Sequence, residues 1–323
     1  MNSAGFADSL KQWLSDEVNR LGKKGALVQL SGGVDSSTVL MLCSQALGPE
    51  NVIALYLPDS ATGPETRSYV DLAAAAAGVE MVVRPIGAAI EAQQPLSEID
   101  DLIRRYEPAY DSATQGYSVN VAPDLTRRLG ALVYQVSIGP RRGRPERVLK
   151  MSVADLRALI AYQNRKQRTR MLFAYAEAES RNLAVVGASN GDELDTGFVV
   201  KYGDDAADLC PIGGISKQSV YELARALAVP EEIITRTPTT DTYLLTQTQE
   251  DYYYALPAEV LRRLAAEAEA NRLDDDELAE IAASCPGWST QALRQVGNGL
   301  AATLRYQNTR SLRFLDEAST RPD

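Results

Sequence analysis

The segment Ser31-Gly32-Gly33-Val34-Asp35-Ser36 has the composition of a phosphate-binding turn that also carries a carboxylate. It follows the apolar run 26–30, which is typical of a buried strand, and it precedes apolar residues at helical spacing. Glycines have no Cβ and let a turn approach a ligand closely, and the N–H groups that begin a helix attract phosphate. Asp35 at the mouth of such a turn is suited to hold Mg²⁺ beside bound phosphates.

The spacing of this turn differs from that of two commoner nucleotide-binding motifs. No lysine follows the glycines as in Gly-x-x-x-x-Gly-Lys-Ser/Thr, and the spacing is not Gly-x-Gly-x-x-Gly. The simpler alternative is an ordinary strand–turn–helix corner capped by a serine. Six consecutive matching positions between a strand and a helix argue against that alternative.

The composition excludes several kinds of chemistry. The chain has 323 residues, a net charge of −10 and no histidine, so catalysis by Ser-His-Asp, Cys-His or histidine-bound metal is excluded in this subunit. An acidic balance argues against a nucleic-acid partner. The three cysteines have neither metal-site nor disulfide spacing, and we expect a cytoplasmic protein without a membrane span.

Strand and helix patterns alternate from the N-terminus onward. An amphipathic helix over 6–21 precedes the strand at 26–30, and strands at 51–57 and 80–84 flank a helix over 64–77 that ends at Gly78. This alternation predicts an α/β fold, a doubly wound, Rossmann-like parallel sheet with helices on both faces. The ligand should lie beyond the carboxyl ends of the strands.

Residues 86–150 interrupt this rhythm. We expect a short helix at 100–106, a strand at 118–122, and a hairpin of 132–138 with 147–151 whose tip carries Arg141, Arg142 and Arg144. One interpretation is an arm that contacts an anionic ligand or a second subunit. The other is a solvated hairpin.

The second half begins with a long helix capped by Ser152 that reaches about Arg181. A strand at 183–186 leads into a charged, glycine-rich loop over 187–208, where functional sites are commonly built. Ser216 begins another helix, 238–254 reads as a long polar loop, and the remainder is helical with a frayed tail after Asp316. We therefore predict a catalytic domain over 1–255, with 86–150 inserted, and a helical extension over 256–323.

Several of these stretches resemble one family. The glycine turn resembles the pyrophosphate loop of ATP pyrophosphatases, which cleave ATP between the α- and β-phosphates. The more specific resemblance is to NAD synthases, in the stretches 164–171 (Asn-x-Lys-x-Arg-x-Arg-Met), 187–193, 197–204 (ending Lys-Tyr-Gly-Asp), 217–225 and 238–241. The match covers about residues 26–84 and 160–260.

The resemblance implies an ATP-dependent amide ligase, in which a carboxylate attacks the α-phosphorus and ammonia then displaces AMP. The catalytic residues it implies are Asp35, Lys217 and Glu193, with Mg²⁺ held by Asp35 and Glu193. The resemblance assigns substrate contacts to Arg168, Lys201 and Asp208. It also implies that the substrate is the carboxylate of a small molecule such as deamido-NAD, and that the protein is a homodimer. The resemblance also assigns contacts with ATP to Gln29, Leu30, Ser31, Gly32, Gly33, Val34, Asp35, Ser36, Ala188, Lys217 and Thr239.

Two positions depart from the family pattern. Ala188 replaces a threonine, and Asn308-Thr309 stand where the family carries a His-Lys pair that helps to bind the dinucleotide, with Arg310 or Arg313 as possible substitutes. Three alternatives therefore stay open: a related ligase for another carboxylic acid or amine, an enzyme that transfers sulfur or modifies tRNA, in which Cys210 lies close to the site, and a non-catalytic nucleotide-binding protein.

Overall fold

The computed structural model describes residues 3–236, 243–245 and 255–309. In chain order, its first elements are α1 (Ser3–Arg20), β1 (Ala26–Leu30), α2 (Val34–Leu47), β2 (Val52–Tyr56), α3 (Thr66–Ala77), β3 (Glu80–Val83), α4 (Gly87–Gln93) and α5 (Leu96–Arg104). Next come β4 (Gln115–Val121), α6 (Pro123–Leu129), β5 (Tyr134–Pro140), β6 (Arg147–Leu149), α7 (Val153–Arg181) and β7 (Ala184–Val186). The last are α8 (Gly191–Thr196), α9 (Lys217–Ala226), α10 (Glu231–Ile234), α11 (Ala258–Glu269), α12 (Asp275–Ser284) and α13 (Thr290–Asn308).

The central sheet has four parallel strands in the order β3-β2-β1-β7. Its strands are buried on both faces because successive side chains alternate: Val28 and Ala54 face a core with α1, α2, α3 and α9, while Leu27 and Leu55 face a core with α4, α5 and α7. The predicted fold class, a parallel sheet with helices on both faces, is confirmed.

The inserted segment is more regular than the sequence suggested. Strands β4, β5 and β6 form an antiparallel sheet whose buried side chains join the core beside α7. The predicted hairpin is confirmed, with Val136 opposite Leu149. The helix expected over 100–106 lies instead at 96–104, and α4 and α6 were not predicted, because each has only seven residues and little periodicity to detect.

Local signals place the helix ends that bear on the site. Ser152 caps α7 by accepting a hydrogen bond from the Asp155 N–H at 3.1 Å, and Ser216 caps α9 in the same way. Gly78 ends α3 in the left-handed conformation, with φ +69°. All three predicted caps are confirmed.

The helices α11, α12 and α13 bury a third apolar cluster around Leu264, Leu278 and Leu300. The predicted domain boundary near residue 255 stays a prediction. Thr239, Arg310, Arg313 and the tail after Asp316 lie outside the described residues. Within the described ranges, no helix combines the length and the apolar character that crossing a membrane requires.

Candidate active site

A cavity of about 290 Å³ opens at the carboxyl ends of the parallel strands. Its walls come from the ends of β1, β2 and β7 and from one side of α7. Among the predicted ATP contacts, the cavity is lined by Gln29, Leu30, Ser31, Asp35, Ser36 and Ala188. This is the edge at which the fold class led us to expect the ligand.

The glycine turn joins β1 to α2 in a closely packed conformation that requires glycine. Gly32 has φ +74°, and a Cβ there would lie 3.1 Å from both Tyr69 Cβ and Arg236 Nη1. The hydroxyl groups of Ser31 and Ser36 lie 3.1 Å apart across the turn. Gly33 is the N-cap of α2 and, among the described residues, no side chain caps this helix, so its start is open to a phosphate.

Asp35 and Lys217 form an ion pair although they are 182 residues apart in the chain. Lys217 Nζ contacts Asp35 Oδ2, whereas Asp35 Oδ1 is buried and accepts no hydrogen bond from the described residues. Burial opposes the charge on Lys217, but the Asp35 carboxylate outweighs it and raises the pKa of the ammonium group. The charged Lys217 ammonium therefore pairs with one carboxylate oxygen of Asp35 and leaves the other oxygen for another partner.

Glu193 is the third member of this group. Burial, followed by the nearby charge of Asp35, raises the pKa of Glu193 to about 8. Its position follows from a capping box: the Asn190 side chain accepts a hydrogen bond from the Glu193 N–H at 3.2 Å, and Glu193 Oε2 accepts one from the Asn190 N–H at 3.1 Å. The sequence Asn-x-x-Glu carries this signal, but the prediction of a loop over 187–208 was wrong for residues 191–196, which form α8.

The carboxylates of Asp35 and Glu193 suit a divalent cation. A positive ion would bind the orphaned Asp35 Oδ1 and reverse the mutual repulsion that raises the pKa of Glu193. In the described part of the chain, no three acidic, cysteine or histidine side chains cluster as a complete metal site. Two carboxylates fit Mg²⁺, which commonly takes its other ligands from water and from substrate phosphates.

A bridge of hydrogen bonds ties this group to the C-terminal helices. The N–H of Lys217 donates to Asp192 Oδ2 at 2.9 Å, and Arg262 on α11 donates to Asp192 Oδ1 at 3.1 Å. Arg262 also pairs with Asp195. The start of α9, which carries Lys217, is therefore supported from α11 through α8.

A buried charge network at the cavity wall was not predicted. Asp59, with its side chain 1% exposed, pairs with Lys166 at 3.0 Å and Arg170 at 3.1 Å, and Arg170 lines the cavity. Burial alone would raise the pKa of Asp59, but the two cations hold it below its usual value. The sequence signal was the spacing of four between Lys166 and Arg170, which puts them on one face of α7.

The predicted substrate contacts lie outside the residues that line this cavity. Arg168 Nε donates to the carbonyl of Lys201 at 3.0 Å. Lys201 Nζ donates to the carbonyls of Tyr306, at 2.6 Å, and Thr309 at the end of α13. Asp208 accepts hydrogen bonds from the N–H of Val185 and from the Tyr175 hydroxyl.

The structure thus brings Asp35, Glu193 and Lys217 together and leaves Arg168, Lys201 and Asp208 in internal contacts. Gly32, Gly33 and Val34 belong to the turn and the start of α2 without lining the cavity, and Thr239 lies outside the described residues. The ligand contacts of all these residues stay predictions.

Fold and cavity together define the class: an α/β protein with a parallel sheet, helices on both faces, and a glycine turn beside a cavity at the carboxyl edge of the sheet. Among solved structures, an NMN synthetase from Francisella tularensis superposes with a TM-score of 0.59 and 20% identity over 97% of this chain and 98% of that chain. The NH3-dependent NAD synthetase of Campylobacter jejuni superposes with a TM-score of 0.58 and 19% identity over 98% of this chain and 100% of that chain. At these identities the likeness shows the fold alone.

The sequence comparisons identify the family. The profile of the NAD synthase family matches residues 6–107 and 106–279. The NH3-dependent NAD+ synthetase of Rhizobium rhizogenes is 40% identical over 260 residues, which are 80% of this chain and 77% of that protein. The chain belongs to the NAD synthase family, and the resemblance found in its motifs is confirmed.

Proposed function

We propose that this protein is a carbon–nitrogen ligase that uses ATP to convert deamido-NAD and ammonia into NAD, AMP and pyrophosphate. Membership of the NAD synthase family and the name of the 40% identical relative support this function. The observation that carries it in the structure is the cluster of Asp35, Lys217 and Glu193 beside the glycine turn.

The reaction needs two displacements. An oxygen of the substrate carboxylate attacks the α-phosphorus of ATP, the bond to the bridging oxygen of the β-phosphate breaks, and pyrophosphate leaves. The nitrogen of ammonia then attacks the acyl carbon, AMP leaves, and the nitrogen loses its surplus proton. Holding the adenylate and ammonia together supplies much of the rate enhancement, so this scheme requires no general base from a chain without histidine.

The cluster suits the first displacement. Negative charge develops on the departing pyrophosphate, and the Lys217 ammonium, already held in its charged form by Asp35, would stabilise it. Ser31 and the start of α2 would hold the phosphates by hydrogen bonds. Mg²⁺, if bound by Asp35 and Glu193, would supply further neutralisation of phosphate charge.

A related ligase for another carboxylic acid is the second candidate. Asn308 and Thr309 occupy the position of the family's His-Lys pair, and the Thr309 carbonyl accepts a hydrogen bond from Lys201 instead of leaving this lysine to a ligand. A charged phosphate contact contributes about 1.5–3 kcal/mol, so loss of one would weaken dinucleotide binding by one to two decades.

Sulfur transfer is disfavoured by the state of Cys210. Burial raises the pKa of its thiol to about 11, and its Sγ donates to the carbonyl of Ser189. A thiol in this state is a poor nucleophile. We retain the homodimer and the cytoplasm as proposals, the second supported by three cysteines that are all unpaired.

The test is to incubate the protein with Mg-ATP and deamido-NAD, with and without ammonium, and to measure pyrophosphate, AMP and NAD by mass. We expect NAD only with ammonium, together with equimolar AMP. The Asp35→Ala variant serves as the inactive control. ATP binding without NAD formation would contradict deamido-NAD as the substrate, and pyrophosphate exchange with a panel of carboxylic acids would then test the second candidate.

A further inference from the structure

The tip of the β5–β6 hairpin reaches the loop of residues 57–65, which follows β2 and forms one wall of the cavity. Arg141 donates to the carbonyl of Ser112 at 2.8 Å and to that of Ser60 at 3.4 Å. Arg142 Nη2 donates to the carbonyl of Thr62 at 3.1 Å, and Thr62 lines the cavity. Both guanidinium groups therefore bind the backbone of a wall of the nucleotide site.

The backbone at Arg142 is unusual for a residue with a side chain. Arg142 has φ +61°, in the left-handed region that glycine adopts far more readily, and glycine occupies the next position. The Arg142 N–H also donates to the carbonyl of Leu244 at 2.6 Å. This conformation is sterically costly for a residue with a Cβ, so it persists only because surrounding contacts hold it.

The same antiparallel sheet holds a second segment, residues 243–245. A Cβ on Gly116 of β4 would lie 2.7 Å from Leu244 Cβ and 2.8 Å from its carbonyl carbon, so the two backbones pack in direct contact. The ring of Tyr117 meets that of Tyr243 edge to face, with centroids 5.8 Å apart. Leu244 follows the predicted ATP contact Thr239 by five positions in the chain.

The 57–65 loop is fixed from its other side as well. The carboxylate of Asp59 pairs with Lys166 and Arg170 on α7 and accepts a hydrogen bond from the Ala61 N–H at 2.8 Å. The loop is thus pinned between α7, inside the catalytic fold, and the tip of the inserted hairpin.

We propose that the inserted antiparallel sheet is a positioning element of the nucleotide site, and that Arg141 and Arg142 hold the 57–65 loop in the conformation that binds ATP. The proposal rests on the proposed function, because it takes ATP as the ligand of this cavity. This role differs from both interpretations of the basic tip given above, a contact with an anion or a second subunit and a solvated hairpin. The arginines instead bind carbonyl groups of their own chain.

The experiment measures binding of Mg-ATP by calorimetry in the absence of any carboxylate substrate, for the wild type and for the double variant Arg141→Ala/Arg142→Ala. We expect the Kd to rise about 5- to 20-fold in the double variant, since the two hydrogen bonds that charged donors make to the 57–65 loop are lost. The single variant Arg142→Lys, in which Arg141 is intact, keeps a charged donor at this position. It should retain most of the wild-type affinity for Mg-ATP. Arg144→Ala is the matched control, because the exposed side chain of Arg144 makes no hydrogen bond to the described residues.

Steady-state kinetics add a readout that general destabilisation would not give. The KM for ATP should rise in the double variant while kcat at saturating ATP and the urea unfolding midpoint stay near the wild-type values. A Kd within about twofold of the wild type would overturn the proposal, and so would a loss of dimer mass with ATP affinity intact. A wild type that binds ATP without forming NAD would refute the proposed substrate alone, whereas a wild type that binds no ATP would refute both.

Discussion

Two groups of residues were linked to ligands by the same family resemblance, and the structure treats them differently. Asp35, Glu193 and Lys217 meet at the mouth of the glycine turn, where Asp35 Oδ1 is buried with no hydrogen bond from the described residues. In the second group, Lys201 donates to backbone carbonyl groups, and Asp208 accepts hydrogen bonds from the Val185 N–H and the Tyr175 hydroxyl of its own chain.

The first group is arranged as a binding site before any ligand is present, whereas the second group has a structural role. A buried oxygen without a partner is costly unless a ligand satisfies it, so the first group is poised for a cation and phosphates. Lys201, in contrast, stabilises the carboxyl end of α13 with its charge and lies 4.4 Å from the centre of the Tyr306 ring. The first group is therefore assembled by the fold around an oxygen that lacks a partner among the described residues, whereas Lys201 and Asp208 already make internal contacts.

The largest effect is expected from the first group. Asp35→Ala should lower kcat/KM by ~10³ or more, because it removes a proposed ligand of Mg²⁺ and leaves Lys217 without its counter-ion. Pyrophosphate release is the measurement, and Asp276→Asn, which changes an exposed carboxylate outside the cavity, is the control. Normal pyrophosphate release from the alanine variant would refute the assignment of the cation site.

Lys217→Met should lower kcat by ~10², since the developing charge on pyrophosphate loses its ammonium partner. The variant also loses the positive charge that lowers the pKa of Glu193, so its activity should require a higher pH than that of the wild type. Lys217→Arg keeps the charge and should retain more activity. Equal activity in both variants would argue that Lys217 only supports the start of α9.

Asp204 connects the two groups, because it lines the cavity and belongs to the Lys-Tyr-Gly-Asp stretch. Burial raises the pKa of Asp204 from 3.8 to about 6. Between those values the folded state binds more protons than the unfolded chain, so this carboxyl lowers the free energy of unfolding as the pH rises. Two pKa units correspond to on the order of 3 kcal/mol.

The Asp204→Asn variant has no ionisable group at this position. Its free energy of unfolding should exceed that of the wild type by an amount that grows across this pH range and becomes constant above about pH 6. Urea unfolding at several pH values measures the difference, and the exposed Asp101→Asn is the control. A difference independent of pH would contradict the raised pKa.

Lys201→Met tests the second group. It removes the donor to the carbonyls of Tyr306 and Thr309 and should lower the free energy of unfolding by ~1–2 kcal/mol. Lys150→Met, at an exposed lysine, should have no such effect. A large rise in the KM for deamido-NAD with unchanged stability would reverse the comparison and assign Lys201 to the substrate.

Cys210→Ser should leave activity within about twofold of the wild type, because a thiol with a raised pKa takes no part in the proposed displacements. Pyrophosphate release and NAD formation are again the measurements. A loss of tenfold or more, without unfolding, would revive sulfur transfer.

The sequence predicted the parts of the molecule that are encoded locally. The run 26–36 contains a strand, a glycine turn and the start of a helix, so both the sheet and the position of Asp35 could be inferred from it. The caps at Ser152 and Ser216 were found for the same reason. The capping box of α8 was equally local, and it was missed because the surrounding charge and glycine suggested a loop.

Contacts that depend on packing could not be predicted. The partners of Lys201 lie 105 and 108 residues further along the chain, and they meet it only once α13 has docked. The pairing of Asp59 with α7 and the contact of Arg142 with Thr62 likewise join segments about 80 residues or more apart. The periodicity and spacing of residues in the sequence carry no information about contacts between segments so far apart.

The bond between Arg262 and Asp192 has a consequence for dissecting the protein. Asp192 accepts hydrogen bonds from Arg262 on α11 and from the N–H of Lys217, so this carboxylate links the predicted extension beyond residue 255 to the start of α9. A fragment ending near that boundary would lose the Arg262 hydrogen bond that supports the start of α9, which carries Lys217. Two separately produced halves would recover activity only if they associated so that Arg262 again contacts Asp192.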